Sequence, residues 1–445
     1  MRKWIFLTAL VVPFQIMAQW SCPSKINAHL KPFWEDGPVS WAMEGEAGGG
    51  LLGDRQLLNG MGLGALELYL NHISIYAEGG VKYWNTNENG VYFENTRLGM
   101  RELYLNPSLG NHSVKVGLQS LQLQDMFVFN ERTMAASYRY KNNGFLLEAA
   151  AGTVSEQFAR NGSFCTKCFQ YDIIMNRTRP YLASQPFEEK FSAVTVSFKP
   201  AQYKKKAERK SENRESNDEF GSFEEVGKDE FSNTDEFSTD ELSGGGDEFG
   251  SFNARPTKKF PLKLESAGVI IYSEFGQYNA GTGFWSGAFG SLTLPLNLTF
   301  KTEALFQYLG SNQGTFLINS LEGNYSSKLG FTDFYAVYYH FFKGTQNATP
   351  ALSYTNLFLG EVLRLESVEM PLLSVYAKHR FKGKGLSIKV QYATNTVAER
   401  LYEEDIQITK TLGKHFHLSC TAGYITQRLP QNRTWLGRAE LRFTF

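Results

Sequence analysis

The sequence predicts an all-β fold: an antiparallel transmembrane β-barrel of about 18 strands (roughly 16–18), interrupted by one disordered acidic insert. Three observations carry this. Strand after strand alternates apolar and polar residues with a period of two, so that one face meets an apolar phase and the other water. Short and long connections alternate along the chain, as they do when turns gather at one end of a barrel and loops at the other. The sequence also finishes on such a strand: Trp435, Gly437, Ala439, Leu441, Phe443 and Phe445 are apolar or small, and Arg438, Glu440, Arg442 and Thr444 fill the positions between. A soluble sheet would leave that strand as an aggregation-prone edge, whereas a closed barrel in a bilayer has no edges and needs an apolar outer face.

Residues 1–18 read as a signal peptide. Arg2 and Lys3 precede the apolar run 4–14, and Ala18 offers a small residue for cleavage before Gln19. The run is too short to span a bilayer. Residues 19–40 are expected to form an N-terminal periplasmic segment. Cys22 lies there behind Gln19, Trp20 and Ser21, which do not make the Leu-small-small signature of a lipidated cysteine. No later stretch reaches ~18 consecutive apolar residues, so no transmembrane helix is expected. The formal net charge of +0 gives no footprint for nucleic acid. Tyr (22) and Phe (35) outnumber Pro (14), which suits long strands. A mean hydropathy of -0.32 is low for a helical membrane protein and normal for a barrel, where half of each strand faces water.

Residues 41–200 hold strands 1–8 and residues 261–445 strands 9–18. In 113–119, Val114, Val116 and Leu118 oppose Lys115, Gly117 and Gln119; in 193–199, Val194, Val196 and Phe198 oppose Thr195, Ser197 and Lys199. In 296–308, Leu298, Phe300, Ala304 and Phe306 oppose Thr299, Lys301, Glu303 and Gln307; in 386–392, Leu386, Ile388, Val390 and Tyr392 oppose Ser387, Lys389 and Gln391. Residues 416–424 repeat the pattern. After even strands the expected connections are short: residues 71–72, 107–112, 142–144, 382–385 and 413–415. After odd strands they are often longer: residues 53–61, 85–95, 155–190 and 345–369. An even strand count puts both ends of the barrel domain in the periplasm.

One short-turn position departs from this rule. Residues 201–260 show no strand pattern and open on Lys204, Lys205, Lys206, Arg209 and Lys210. An acidic repeat follows, in which Phe220, Phe223, Phe231, Phe237, Phe249 and Phe252 stand among Asp-Glu pairs, and the hexapeptides 218–223 and 247–252 are identical. This composition predicts disorder. It reads as a solvated linker, or as a set of stickers offering Phe to a hydrophobic pocket and carboxylates to its basic rim, multiplied along one chain to recruit a periplasmic protein. The basic run could rest on lipid phosphates at the inner leaflet. No EF-hand spacing is present.

Cys165 and Cys168 form a CxxC in the long loop 155–190, expected outside the cell, where the pair can close as a small disulfide. No second CxxC or His pair follows to complete a metal site, and no cofactor is implied. Cys420 is in phase with Leu418, Ala422 and Tyr424 and should face lipid. With the apolar set outward, the lumen receives Lys82, Lys115, Arg139, Lys141, Lys301, Lys378, Arg380, Lys389, Arg438 and Arg442, against Glu67, Glu78, Glu148, Glu303 and Glu440. Such charges can pair across neighbouring strands; the cation excess points to a positive lumen that favours anionic solutes. No catalytic constellation stands out, and the chain is not expected to be an enzyme.

The strand ending on Phe445 resembles the C-terminal strand of bacterial outer-membrane proteins, and that resemblance implies barrel-assembly machinery as a partner alongside the outer-membrane lipid. Residues 97–140, "RLGMRELYLNPSLGNHSVKVGLQSLQLQDMFVFNERTMAASYRY", resemble alginate-export-like and related substrate-specific porins, in which a strand ending in a "VGRQ"-like stretch precedes a loop and an Arg-bearing strand. Leu118 stands here where that Arg would be, and no Trp-Gly follows it. The "MAQ" ending of the signal peptide and the acidic insert are similar to those of Bacteroidota-type proteins. These likenesses imply the porin architecture; with the cation-rich lumen, the expected function is a porin-like outer-membrane channel through which small, anionic solutes diffuse. The alternative is a membrane-anchored scaffold whose repeats recruit a periplasmic partner.

Overall fold

A computed structural model describes residues 30–34, 37–88, 91–123, 127–154, 189–200, 262–276, 283–352, 371–395, 402–426 and 433–445. The expected signal peptide, Cys22, Cys165, Cys168 and the acidic repeats with their six phenylalanines lie outside these residues.

The described chain is almost entirely strand: β1 (Lys31–Pro32), β2 (Val39–Leu52), β3 (Arg55–Leu70), β4 (Ile73–Glu88), β5 (Val91–Leu109), β6 (His112–Leu123), β7 (Phe129–Asn142), β8 (Phe145–Val154), β9 (Glu189–Phe198) and β10 (Lys263–Phe275). There follow β11 (Gly283–Leu294), β12 (Leu298–Leu309), β13 (Asn312–Ser327), β14 (Gly330–Lys343), β15 (Leu372–Phe381), β16 (Leu386–Asn395), β17 (Tyr402–Leu412), β18 (Phe416–Thr426) and β19 (Arg433–Thr444). Each strand from β2 to β19 pairs antiparallel with its sequence neighbours, β9 pairs β10 across the insert, and β19 pairs β2. Setting aside the two-residue β1, this closes an eighteen-stranded barrel.

The seam runs from Leu436↔Leu52 to Thr444↔Glu44. Phe445 and Met43 complete it: the Phe445 N–H donates to the Met43 carbonyl (2.8 Å) and the Met43 N–H to the Phe445 carbonyl (3.0 Å). The Phe443 ring lies over Gly45, where any Cβ would strike it. Below Phe445 the same edge of β2 accepts β1, with Lys31 opposite Trp41 and Pro32 opposite Ser40.

The two faces separate by polarity. Val116, Val194, Val269, Ile271, Val390, Ile406, Ile408 and Leu418 are exposed on the outside, in the alternation the sequence predicts. Exposed aromatic residues frame that band at both ends: Phe145, Phe198, Tyr325 and Phe416 beside the short turns, and Phe275, Phe284, Tyr308, Phe342 and Trp435 beside the long loops. Two girdles around an apolar band are what a bilayer-spanning barrel requires. Cys420 is exposed in the same outward phase.

Three connections differ from expectation. Residues 53–61 and 85–95 were expected to be loops. Instead β2 turns into β3 through Gly53 and Asp54 alone, and β4 runs to Glu88 before β5 begins at Val91. The polar residues Asn59, Asn85 and Asn87 belong to ladder pairs there, so their backbone groups are satisfied by strands that rise beyond the apolar band. The 107–112 turn is likewise tighter, because β5 continues to Leu109. The long connections between β8 and β9 and between β14 and β15 stand where the sequence places them.

Candidate functional site: a constricted lumen

The wall is incomplete at one place. β5 pairs with β6 only from Leu103↔Leu118 toward the short-turn end, and β7 pairs with β8 only from Met134↔Thr153 in the same direction. Residues 119–123 of β6 and 129–133 of β7 pair with each other alone. The tip of this hairpin therefore leaves the wall. Gly117 marks the departure: its φ of +136° and the Leu103 carbonyl 2.2 Å from any added Cβ leave room for no other residue. Every residue from Phe127 to Thr133 is buried regardless of alternation, which means both faces of the strand are covered.

The tip is held from across the barrel. Phe127 stacks on Tyr339 of β14 (centroids 5.6 Å apart) and meets Phe316 of β13 edge-on (5.5 Å). Those strands are six to eight positions away round the ring of eighteen, close to diametrically opposite. The hairpin thus spans the lumen near its long-loop end. Phe129 extends the apolar cluster to Phe191 (4.5 Å) and Tyr272 (6.1 Å), and Tyr272 to Trp285 (5.4 Å). A second segment folds inward after β14. Gln307 of β12, fully buried, donates to the Thr349 carbonyl (2.9 Å) and accepts from the Ala351 N–H (2.9 Å), and Ala348 packs into the same cluster. An aromatic collar thus narrows the mouth.

Below the collar the lumen is lined by charge. On β4–β7, Arg101 bridges to Glu78 (2.9 Å), which also accepts the Tyr76 hydroxyl. Tyr76 stacks on Tyr104 (5.0 Å), and Lys115 sits over the Tyr104 ring (4.4 Å). Lys82 covers Trp84 (4.5 Å), and Arg139 pairs with Glu148 (3.4 Å). At the seam, Arg442 meets Glu44 (2.7 Å), Arg438 meets Glu440 (3.0 Å), and the Asn59 amide donates to Glu46 (3.2 Å). On β12–β16, Lys301 pairs with Glu322 (3.4 Å), Arg380 with Asp333 (2.7 Å), and Lys389 lies over Tyr376 (5.3 Å). Cation–π contacts of this kind hold a lysine in place without cancelling its charge.

Lys82, Lys115, Arg139, Lys301, Lys378, Arg380, Lys389, Arg438 and Arg442 all occupy inward positions, spread over three stretches of wall, while Lys141 is exposed at the short-turn end. The cation excess inferred from sequence does not hold among the buried described residues. Glu44, Glu46, Glu78, Glu102, Glu131, Glu189, Glu274, Glu403, Asp405 and Glu440 are ten buried acids, against six buried bases, Lys82, Arg101, Arg132, Lys378, Lys389 and Arg438. Half of the added acids, Glu131, Glu189, Glu274 and Glu403, sit at strand ends or on the inward hairpin, where apolar alternation is weakest and facing is hard to read. The hairpin residues Glu131 and Arg132 were missed for the same reason; the signal that could have found them is Gly117 between Val116 and Leu118. Among the described residues no cluster of His, Cys, Asp or Glu could hold a metal ion.

No protein-family model matches the sequence, and no curated protein matches it. Solved structures do. Pseudomonas aeruginosa OccK7 (OpdD) superposes with a TM-score of 0.53 at 9% identity, covering 93% of this chain and 99% of that one. Pseudomonas aeruginosa OpdK with vanillate gives 0.51 at 7% identity, covering 93% and 100%. A BenF-like porin from Pseudomonas fluorescens Pf-5 gives 0.50 at 10% identity, covering 93% and 100%. At such identities the likeness is one of fold: the chain shares the closed antiparallel barrel of these proteins over nearly its whole length.

Proposed function

We propose that the protein is an outer-membrane porin-like channel through which small solutes diffuse, with the β6–β7 hairpin as its constriction. The observation that carries this reading is the hairpin itself. It crosses a lumen lined with ionised and hydrogen-bonding groups, whereas a barrel serving only as an anchor has no need of a built waist. An eighteen-stranded barrel encloses an aqueous lumen unless inward segments fill it, and inward segments set which solutes pass. The aromatic girdles and exposed apolar band place the barrel in a bilayer, and the shared fold with porins makes that bilayer the outer membrane of a Gram-negative cell.

The finer part of the proposal is a preference for anions. Lys82, Lys115 and Lys389 rest on aromatic rings, and vanillate, seen with one structural neighbour, is a carboxylate. The buried acids oppose that preference. Single-channel recording in planar bilayers tests both parts. Discrete conductance steps with a reversal potential displaced toward the anion in a salt gradient are expected; a barrel that never conducts overturns the channel.

A second proposal keeps the acidic repeats as a docking segment for a periplasmic protein. It rests on where they leave the barrel: the Lys199 N–H donates to the Gly144 carbonyl (2.5 Å) in the β7–β8 turn, at the short-turn end.

A further inference from the structure

We infer that residues 19–29 of this chain seat in the short-turn mouth of the lumen, on an apolar patch of the β2–β5 inner wall. The patch is Ala42, Leu63, Ala65, Tyr76 and Tyr104, all buried and all at inward positions of a lumen otherwise lined by charge. Leu30, just before β1, packs against it. The sheet explains why. Lys31 stands opposite Trp41, which is in phase with the outward Met43, so Leu30 turns to the inward side that Ala42 occupies. Because β1 is antiparallel to β2, the chain before Leu30 heads away from the short turns. The next place along that edge of β2 is taken, since Met43 exchanges both backbone bonds with Phe445. The chain must therefore leave the sheet here. Outside lies the apolar band, where unpaired backbone and the polar Ser24, Lys25, Asn27 and His29 would be costly. The lumen, on which Leu30 already packs, accepts them.

The segment matches the patch. Ile26, Ala28 and Leu30 recur at every second residue, with Lys25, Asn27 and His29 around them, so an extended run presents one apolar face and one polar face. Charge agrees. Residues 19–34 hold Lys25 and Lys31 and no acid. Beside the patch, Glu67 and Glu102 accept hydroxyls, from Tyr69 (2.6 Å) and Ser120 (2.5 Å), and form no ion pair among the described residues. Lys25 supplies the cation they lack. Residues 19–29 extend about 37 Å at most, and β2 to β5 spans about 14 Å, so the reach suffices. Seated there, the segment narrows the lumen at the end opposite the β6–β7 hairpin.

The experiment uses the full chain in lipid vesicles, with its four native cysteines changed to serine and heat-modifiable migration confirming a folded barrel. Ile26→Cys, or Ser24→Cys in a second series, is combined with Ala65→Cys in the patch or with Ser291→Cys, a comparably buried inward position on β11 across the lumen. A short bismaleimide links the pairs, and peptide mass spectrometry reads the yield. A seated segment holds its thiol at high effective concentration beside the patch, so the yield to Ala65→Cys should exceed that to Ser291→Cys by about tenfold. Equal yields would mean a tail loose in the mouth. No link to either position would mean a tail outside the barrel, with some other occupant on the patch. Each of these results overturns the inference. Cross-linking requires no conduction, so its outcome is separate from that of the channel proposal.

Discussion

Phe127 and Tyr339 stack face to face, with planes 20° apart, although one belongs to the tip of the β6–β7 hairpin and the other to β14 across the barrel. With Phe316 edge-on to the same ring, this contact fixes the hairpin as a bar across the lumen. Phe127→Ala removes the anchor and leaves the wall untouched. We expect an unchanged folded fraction, a larger mean conductance and noisier open-channel current in planar bilayers. An unaltered conductance would mean that the hairpin is held by other contacts.

Gly117 should tolerate no side chain. Gly117→Ala forces Cβ against the Leu103 carbonyl in a positive-φ conformation. The expected cost is about 1–3 kcal/mol, or a hairpin that returns to the wall. Denaturant unfolding in lipid vesicles distinguishes these outcomes: the first lowers stability, and the second changes conductance at nearly constant stability.

The lipid-facing assignment is tested by paired charges. Val116→Arg or Val390→Arg places a cation in the apolar band and should cost about 2–4 kcal/mol near the bilayer midplane. Lys115→Gln, on the inward side of the same strand as Val116, should cost far less and register in ion selectivity. Unfolding of the variants in vesicles ranks them, and the reverse ranking would invert the two faces.

Closure of the barrel depends on the seam. Glu44 is fully buried beside Arg442, so Arg442→Met removes the cation 2.7 Å from a buried carboxylate and should destabilise the barrel by about 3–5 kcal/mol. The double variant Glu44→Gln with Arg442→Met should recover much of that loss in the same unfolding assay. Deletion of Phe445 removes both backbone bonds to Met43 and should lower the amount of assembled barrel in cells.

How far the fold could be read from the sequence depends on which forces act strand by strand. Strand existence, facing and number were legible wherever one side meets hydrocarbon, because that boundary writes a strict alternation into residues such as Val194, Val196 and Phe198. The extensions of β2–β5 were not, since strands rising beyond the hydrocarbon can be polar on both sides, as at Asn85 and Asn87. The hairpin was not legible either. Its residues are buried on both faces, so Phe129, Asn130, Glu131 and Arg132 follow no period at all. Of the candidate site, the inward lysines and arginines could be found individually, but their carboxylate partners on neighbouring strands depend on register, which composition does not set.

The side of the membrane taken by the insert follows from parity. Eight strands precede it, so it should leave the barrel on the side where β2 began, which we take as the periplasm. Protease on intact cells should spare residues 201–260 until the outer membrane is permeabilised, while a bulky thiol reagent after mild reduction should reach Cys165 and Cys168 from outside. Cleavage of the insert on intact cells would remove the proposed periplasmic docking role.

The most direct test of the central claim is the single-channel conductance of the chain with residues 124–128 replaced by a two-residue turn. A lumen narrowed by this hairpin predicts small, discrete steps for the native chain and steps several-fold larger for the shortened one, at equal barrel assembly. Absence of conductance in both proteins, with both barrels folded, would contradict it.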